Sequence, residues 1–265
     1  MYNFVYEKVN SVEEVEKILN EDVESKILAG GQTLIPTMKQ RLASPSTLID
    51  ISGIDELKFV KDNDSSIEIG SMTTHYDVSS SDIVLNKLPS LASLAEGIGD
   101  PHVRNMGTIG GSISNNDPTA CYPTACLSLR AKIKTNKREI SAEDFFIGLF
   151  HTALDDNEIV ISVEFNIPQK ACYMKFPNPA SRYAMAGVYI SVFNNDVSVA
   201  VTGAGENGVF RWVEMEKALI DDLSVESAKS VKLSSEGIMS DIHADSKYRA
   251  NLVNVMALRA VENLI

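Results

Sequence analysis

The chain lacks any surplus of positive charge: 24 Lys and Arg stand against 36 Asp and Glu, a net charge of −12. Proteins that grip nucleic acid neutralise phosphates with basic side chains, so that class is set aside. No apolar run is long enough to span a membrane. The opening "MYNFVYEKVN" has no basic-then-apolar signal pattern, and the expected compartment is the cytoplasm. Cysteine is scarce: Cys121, Cys126 and Cys172 make an odd number, which fits free thiols in a reducing compartment. Cys121 and Cys126 have no histidine or further cysteine beside them. That is neither a zinc nor an iron–sulfur spacing, and no metal site is expected.

What the chain does have is two similar glycine turns. "KILAGGQTLIP" begins at Lys26 and "GTIGGSISNNDP" at Gly107, each with paired glycines beside a hydroxyl residue. A strand that ends in Gly-Gly exposes backbone N–H groups with no Cβ to hold a ligand away. A following helix aims its first N–H groups and its dipole at the same space, which suits a diphosphate. Neither turn carries the lysine of a phosphate loop or the later acid of the dinucleotide fingerprint. The pair therefore points to one anionic ligand held between two loops.

The pattern along the chain divides it into units at 1–56, 57–168 and 169–265. Ser11 with Glu14 is a capping-box pair ahead of a face of Val12, Val15, Ile18 and Leu19. Strands at "SKILAGG" and "STLIDI", with helices between, describe an α/β unit. In the second unit "LKFVKDNDSSIEIGSMTT" predicts two strands around a polar turn at 63–66. "VLNKLPSLASLAEGIG" predicts a helix, "PTACYPTACLSLRAKI" a helix leading into a strand, and "EIVISVEFNIP" a strand. After Pro168, "YMKF", "MAGVYISVF" and "VSVAVTGAG" alternate as an antiparallel sheet with a hairpin at Asn194, Asn195 and Asp196. A last helix, capped by Asp245 or Ser246, is expected to turn Tyr248, Leu252, Val255, Met256 and Arg259 to one side.

The stretches "ILAGGQTLIPTMKQRLASPSTLIDIS", "IEIGSMTTHYDV", "IGDPHVRNMGTIGGSISNNDP" and "EIVISVEFNIP" resemble the FAD-binding subunit of the molybdenum hydroxylases. That family includes the medium chain of carbon monoxide dehydrogenase and the flavin domain of xanthine dehydrogenase, and the likeness extends over nearly the whole chain. It implies an α+β fold: two α/β subdomains of the vanillyl-alcohol-oxidase type holding FAD non-covalently, and a C-terminal antiparallel sheet with helices.

By the same resemblance Ala29, Gly30, Gly31, Gln32, Thr33 and Leu34 form the first diphosphate loop. Thr108, Ile109, Gly110, Gly111 and Ser112 form the second, with backbone N–H groups and the Thr108 and Ser112 hydroxyls as donors. Ile98 and Val160 line the cofactor, while Lys175 and Tyr183 approach the flavin ring. Where many relatives carry an acid after the second loop, this chain has Cys121. Asp117 is expected to take over part of that contact and to cap a helix. His75 and His102 are read as structural, and Arg104 as a brace for the second loop or a carboxylate partner.

The implied activity is electron relay. Electrons leave a substrate at a molybdenum cofactor in a large partner subunit and cross 2Fe-2S clusters in a small one. They reduce FAD here and pass to NAD+, quinone or oxygen. The implied assembly is a dimer of heterotrimers. A different reading is a self-contained flavin oxidoreductase of the vanillyl-alcohol oxidase type. A third is a non-catalytic, flavin-stabilised assembly subunit.

Overall fold

Strand and helix alternate through the first fifty residues, and parallel strands need crossovers long enough to hold a helix. The computed structural model, which describes residues 1–265, has that arrangement. Val5–Lys8, Thr47–Asp50 and Lys26–Leu28 lie in this order as a parallel sheet. Helices Val12–Glu21 and Leu34–Lys39 make the crossovers, and all four residues of the central strand are buried. The Ser11 hydroxyl accepts the Glu14 N–H at 3.3 Å, while the Glu14 carboxylate reaches back to the N–H of Asn10. Val15 and Leu19 pack under the sheet against Ile49, Ile54 and Leu57.

The second sheet is antiparallel throughout. Its order, Val60–Asp62, Ser66–Gly70, Val160–Asn166, Lys132–Thr135, Glu139–Ser141, places the late strand in the middle. The intervening chain forms short helices whose apolar sides share a core with that sheet, including Leu91, Tyr122, Phe145 and Phe165. The single helix expected over "VLNKLPSLASLAEGIG" is two, Asp82–Lys87 and Pro89–Glu96. Leu88 between them sits at φ −145° and ψ 60°, because the ring of a following proline crowds the helical conformation of the residue before it.

The third sheet is the expected antiparallel one: Lys170–Pro177, Ala184–Phe193, Asp196–Thr202 and the short Phe210–Arg211. Phe193 pairs with Asp196, so the hairpin turns on Asn194 and Asn195, with Asn194 left-handed at φ 43°. Its first three strands gather around the terminal helix Ser246–Glu262, capped by Asp245. Tyr189 and Ala200 point instead into the core of the second sheet.

The terminal helix differs from expectation in which face it buries. Leu252 and Met256 are inside, but Tyr248 and Arg259 are exposed and Arg249, Ala250, Val253, Ala257, Ala260 and Val261 are buried. Arg249 is tolerated there because its guanidinium donates to the carbonyls of Met185 (2.8 Å) and Gly203 (2.7 Å) and pairs with Asp241 at 2.8 Å. A buried charge so partnered is held in place rather than expelled. Small alanines let the helix approach the sheet, and a pattern that weighs only large apolar residues misses both effects.

Candidate functional site: a cleft walled by two glycine loops

The first parallel strands and the second sheet meet around a cleft of about 590 Å³. Every residue singled out in the sequence as a contact lines it except Ile109, which is fully buried in the core of the second sheet. The N–H of Ile109 donates to Thr73 O at 3.1 Å, and its side chain packs in that core.

In the first loop, residues 29–34 follow the strand Lys26–Leu28 and enter the helix Leu34–Lys39. Not one of the six backbone N–H groups from Ala29 to Leu34 donates a hydrogen bond within the protein. The two glycines serve different ends. Gly31 is left-handed at φ +70°, a conformation L side chains rarely adopt. A Cβ on Gly30 would stand 2.0 Å from the carbonyl oxygen of Met106. Gly30 is therefore bare because the two loops touch, not because a ligand needs its space.

The second loop is built differently from expectation. The N–H of Gly110 donates to Ser71 O at 2.9 Å, that of Gly111 to the Thr108 hydroxyl at 3.1 Å, and that of Ser112 to Thr108 O at 3.0 Å. With Ile109 also bonded, the backbone donors assigned to 109–112 are spent inside the protein. Thr108 is the N-cap of the helix Ile109–Asn115, and its hydroxyl accepts there while its own hydrogen stays available. Gly110 packs on Ser71, where a Cβ would lie 2.5 Å from the Ser71 Cβ. Gly111 alone of this pair faces the other loop, its would-be Cβ 3.6 Å from that of Ala29.

At one end of the cleft stand Ile98, Cys121, Lys175 and Tyr183. The Lys175 ammonium donates to Gly97 O (2.6 Å) and Arg182 O (3.2 Å) and lies 3.6 Å from the Cys121 sulfur. A buried thiol thus stands beside a cation. Tyr183 is half-exposed, and its phenol pKa is raised, first by its partial burial and then by the charge of Asp117. Asp117 caps no helix, contrary to expectation. Its carboxylate accepts the N–H of Thr119 at 2.8 Å and the Thr119 hydroxyl at 2.5 Å, closing a local turn.

Arg104 braces the turn before the second loop, donating to Ile98 O and Gly99 O, both at 3.1 Å. His75 is buried in the cleft wall, and its Nδ1 finds no partner. Burial, with the Arg104 charge adding to it, pushes the His75 pKa down to about 4, so the ring is neutral. His102 is exposed. Leu19, Ile27, Leu154 and Ile159, which also line the cleft, were missed in the sequence. Those residues read as ordinary strand and helix core, and only the meeting of two sheets turns them into a wall.

The family described as the FAD binding domain in molybdopterin dehydrogenase matches residues 2–170. The glyceraldehyde dehydrogenase medium chain of Sulfolobus acidocaldarius is 35% identical, over 98% of this chain and 98% of its own. The carbon monoxide dehydrogenase medium chain of Hydrogenophaga pseudoflava is 32% identical, over 97% and 96% respectively. The crystal structure of quinoline 2-oxidoreductase from Pseudomonas putida 86 superimposes with a TM-score of 0.90 at 26% identity, covering 99% of this chain and 97% of that one.

Proposed function

This chain belongs to the FAD-binding domains of the molybdopterin dehydrogenases, and we propose that its cleft holds FAD non-covalently as the flavin relay of a multi-subunit molybdenum hydroxylase. The observation that carries the reading is the row of six unused N–H groups in the first loop. None of these residues is buried, so the N–H groups open onto the cleft, and a diphosphate presents several oxygens to such a row. The cleft volume also falls within the range for cofactor sites.

In this reading residues 29–34 bind the diphosphate, assisted by the Thr108 and Ser112 hydroxyls. Gly111 keeps the passage beside Ala29 open. Val160 and Ile98 give apolar contact, and Asp117 contributes a polar edge. Lys175 and Tyr183 bound the end assigned to the flavin ring, where the ammonium favours negative charge and the phenol restricts water. When bound, FAD supplies a carrier that accepts two electrons and releases them to a second partner. The chain's own part is to bind, orient and electrostatically bias that carrier.

We assign the divisions 1–56, 57–168 and 169–265 to two FAD-binding subdomains and a covering domain. The proposed partners are a large subunit with the molybdenum cofactor and a small subunit with 2Fe-2S clusters, in a dimer of heterotrimers in the cytoplasm. No helix is long and apolar enough to cross a membrane. NAD+, a quinone or oxygen is the proposed terminal acceptor. Acid precipitation of the purified complex tests the binding mode: yellow FAD is expected in the supernatant, and flavin left in the pellet counts against it.

A further inference from the structure

Three cations converge on one short turn. Gly97, Ile98 and Gly99 follow the helix Pro89–Glu96, and Gly99 is left-handed at φ +53°. Lys175 donates to the carbonyl of Gly97, Arg104 to those of Ile98 and Gly99, and Arg182 to that of Gly99 at 3.4 Å. The three come from different parts of the chain: a strand, a helix and the loop that joins two strands of the third sheet. Such clustering is notable in a protein with a net charge of −12. Ile98, Gly99, Lys175 and Arg182 all line the cleft at its Tyr183 end.

We propose that Arg104 and Arg182, together with Lys175, use the turn at 97–99 as a positively charged wall that raises the reduction potential of the bound flavin. This rests on the reading that the Tyr183 end of the cleft takes the flavin ring. Carbonyl oxygens satisfy hydrogen-bonding groups of the cations without neutralising their charge, so three unpaired positive charges remain around the turn, Lys175 and Arg104 half-buried and Arg182 exposed. Acids stand nearby too: Asp100 faces His102 and Arg182, and its pKa is lowered first by its bond from the Val103 N–H; Asp117 acts on Tyr183, and Glu96, exposed, directly precedes the turn. None of them forms an ion pair with the three cations. The neighbouring His75 is neutral and offsets nothing. Positive charge held at the ring end favours whichever cofactor state carries the added negative charge. Arg104 acts here as a positioning residue as well, since its Nη1 donates to two successive carbonyls and fixes the turn on which the other two cations rest.

The test is the flavin midpoint potential of the intact complex, measured spectroelectrochemically in Arg104→Gln, Arg104→Lys and Arg182→Gln. Arg104→Gln is expected to keep its FAD and to shift the reduction equilibrium at least tenfold toward oxidised flavin, ~30 mV for a two-electron couple. Arg104→Lys restores most of that shift, because the charge returns even where the guanidinium geometry does not. Arg182→Gln, at an exposed position with a single long bond, shifts the potential in the same direction and serves if Arg104→Gln does not fold. Unchanged potential in a flavin-loaded Arg182→Gln, or in Arg104→Gln, overturns the proposal. A wild-type chain that carries no FAD overturns instead the reading beneath it.

Discussion

Gly111→Val separates a ligand cradle from an ordinary turn more cleanly than any other change in the two loops. A Cβ at Gly111 meets the Thr108 hydroxyl at 3.0 Å and the Ala29 Cβ at 3.6 Å, so the methyl branches of valine fill the space beside Ala29. Gly110→Val would drive into the backbone of Ser71, and Gly30→Val into Met106 and Gly107, so both report packing rather than binding. At Gly111 the fold loses at most the cap from Thr108, worth ~1 kcal/mol, partly offset because glycine is itself a poor helix residue. The ligand loses more. Hydrogen bonds to a charged acceptor are worth about 1.5–3 kcal/mol each. Denying two of the first-loop N–H groups their oxygen therefore weakens FAD binding by about 3 kcal/mol or more, on the order of a hundredfold. The assay is flavin absorbance per chain after desalting, with circular dichroism melting to show that the fold survives. One FAD per Gly111→Val chain at wild-type affinity would refute the passage between the loops.

Two further outcomes follow from the same geometry. Cys121→Asp places a carboxylate where the thiol now lies 3.6 Å from the Lys175 ammonium; a buried acid so paired is tolerated, and FAD content is expected to hold or rise, whereas flavin loss from a folded variant sinks the idea. His75, neutral with a pKa of about 4 in the folded protein against about 6.5 unfolded, leaves the unfolded chain binding more protons in that window. Stability therefore falls as pH drops from about 6.5 to about 4, by ~3 kcal/mol in all, and urea midpoints for His75→Gln should lack that component; parallel curves for wild type and variant would contradict it.

Much of this site was legible in the sequence, and the parts that were not have identifiable causes. That both glycine loops, Ile98, Val160, Lys175 and Tyr183 line one cleft was legible from local motifs and a family likeness. What the motif could not convey is that its glycines answer to different neighbours. Gly31 obeys its own φ, Gly30 and Gly110 obey backbone from remote segments, and Gly111 faces the cleft. Equally hidden was the spending of the second loop's N–H groups on Ser71 and Thr73, since that pairing joins segments more than thirty residues apart. The break at Leu88 was readable from Pro89. The buried face of the last helix was not, because Arg249 counts as polar until its carbonyl acceptors on the third sheet are known.

Amide hydrogen exchange resolved to single residues, with and without FAD, tests the central claim most directly. The N–H groups of residues 29–34 have no partner in the protein, whereas those of 109–112 are already bonded. The account predicts strong new protection across 29–34 on FAD binding and little change at 109–112. Protection that appears at 109–112 while 29–34 continue to exchange freely would contradict it.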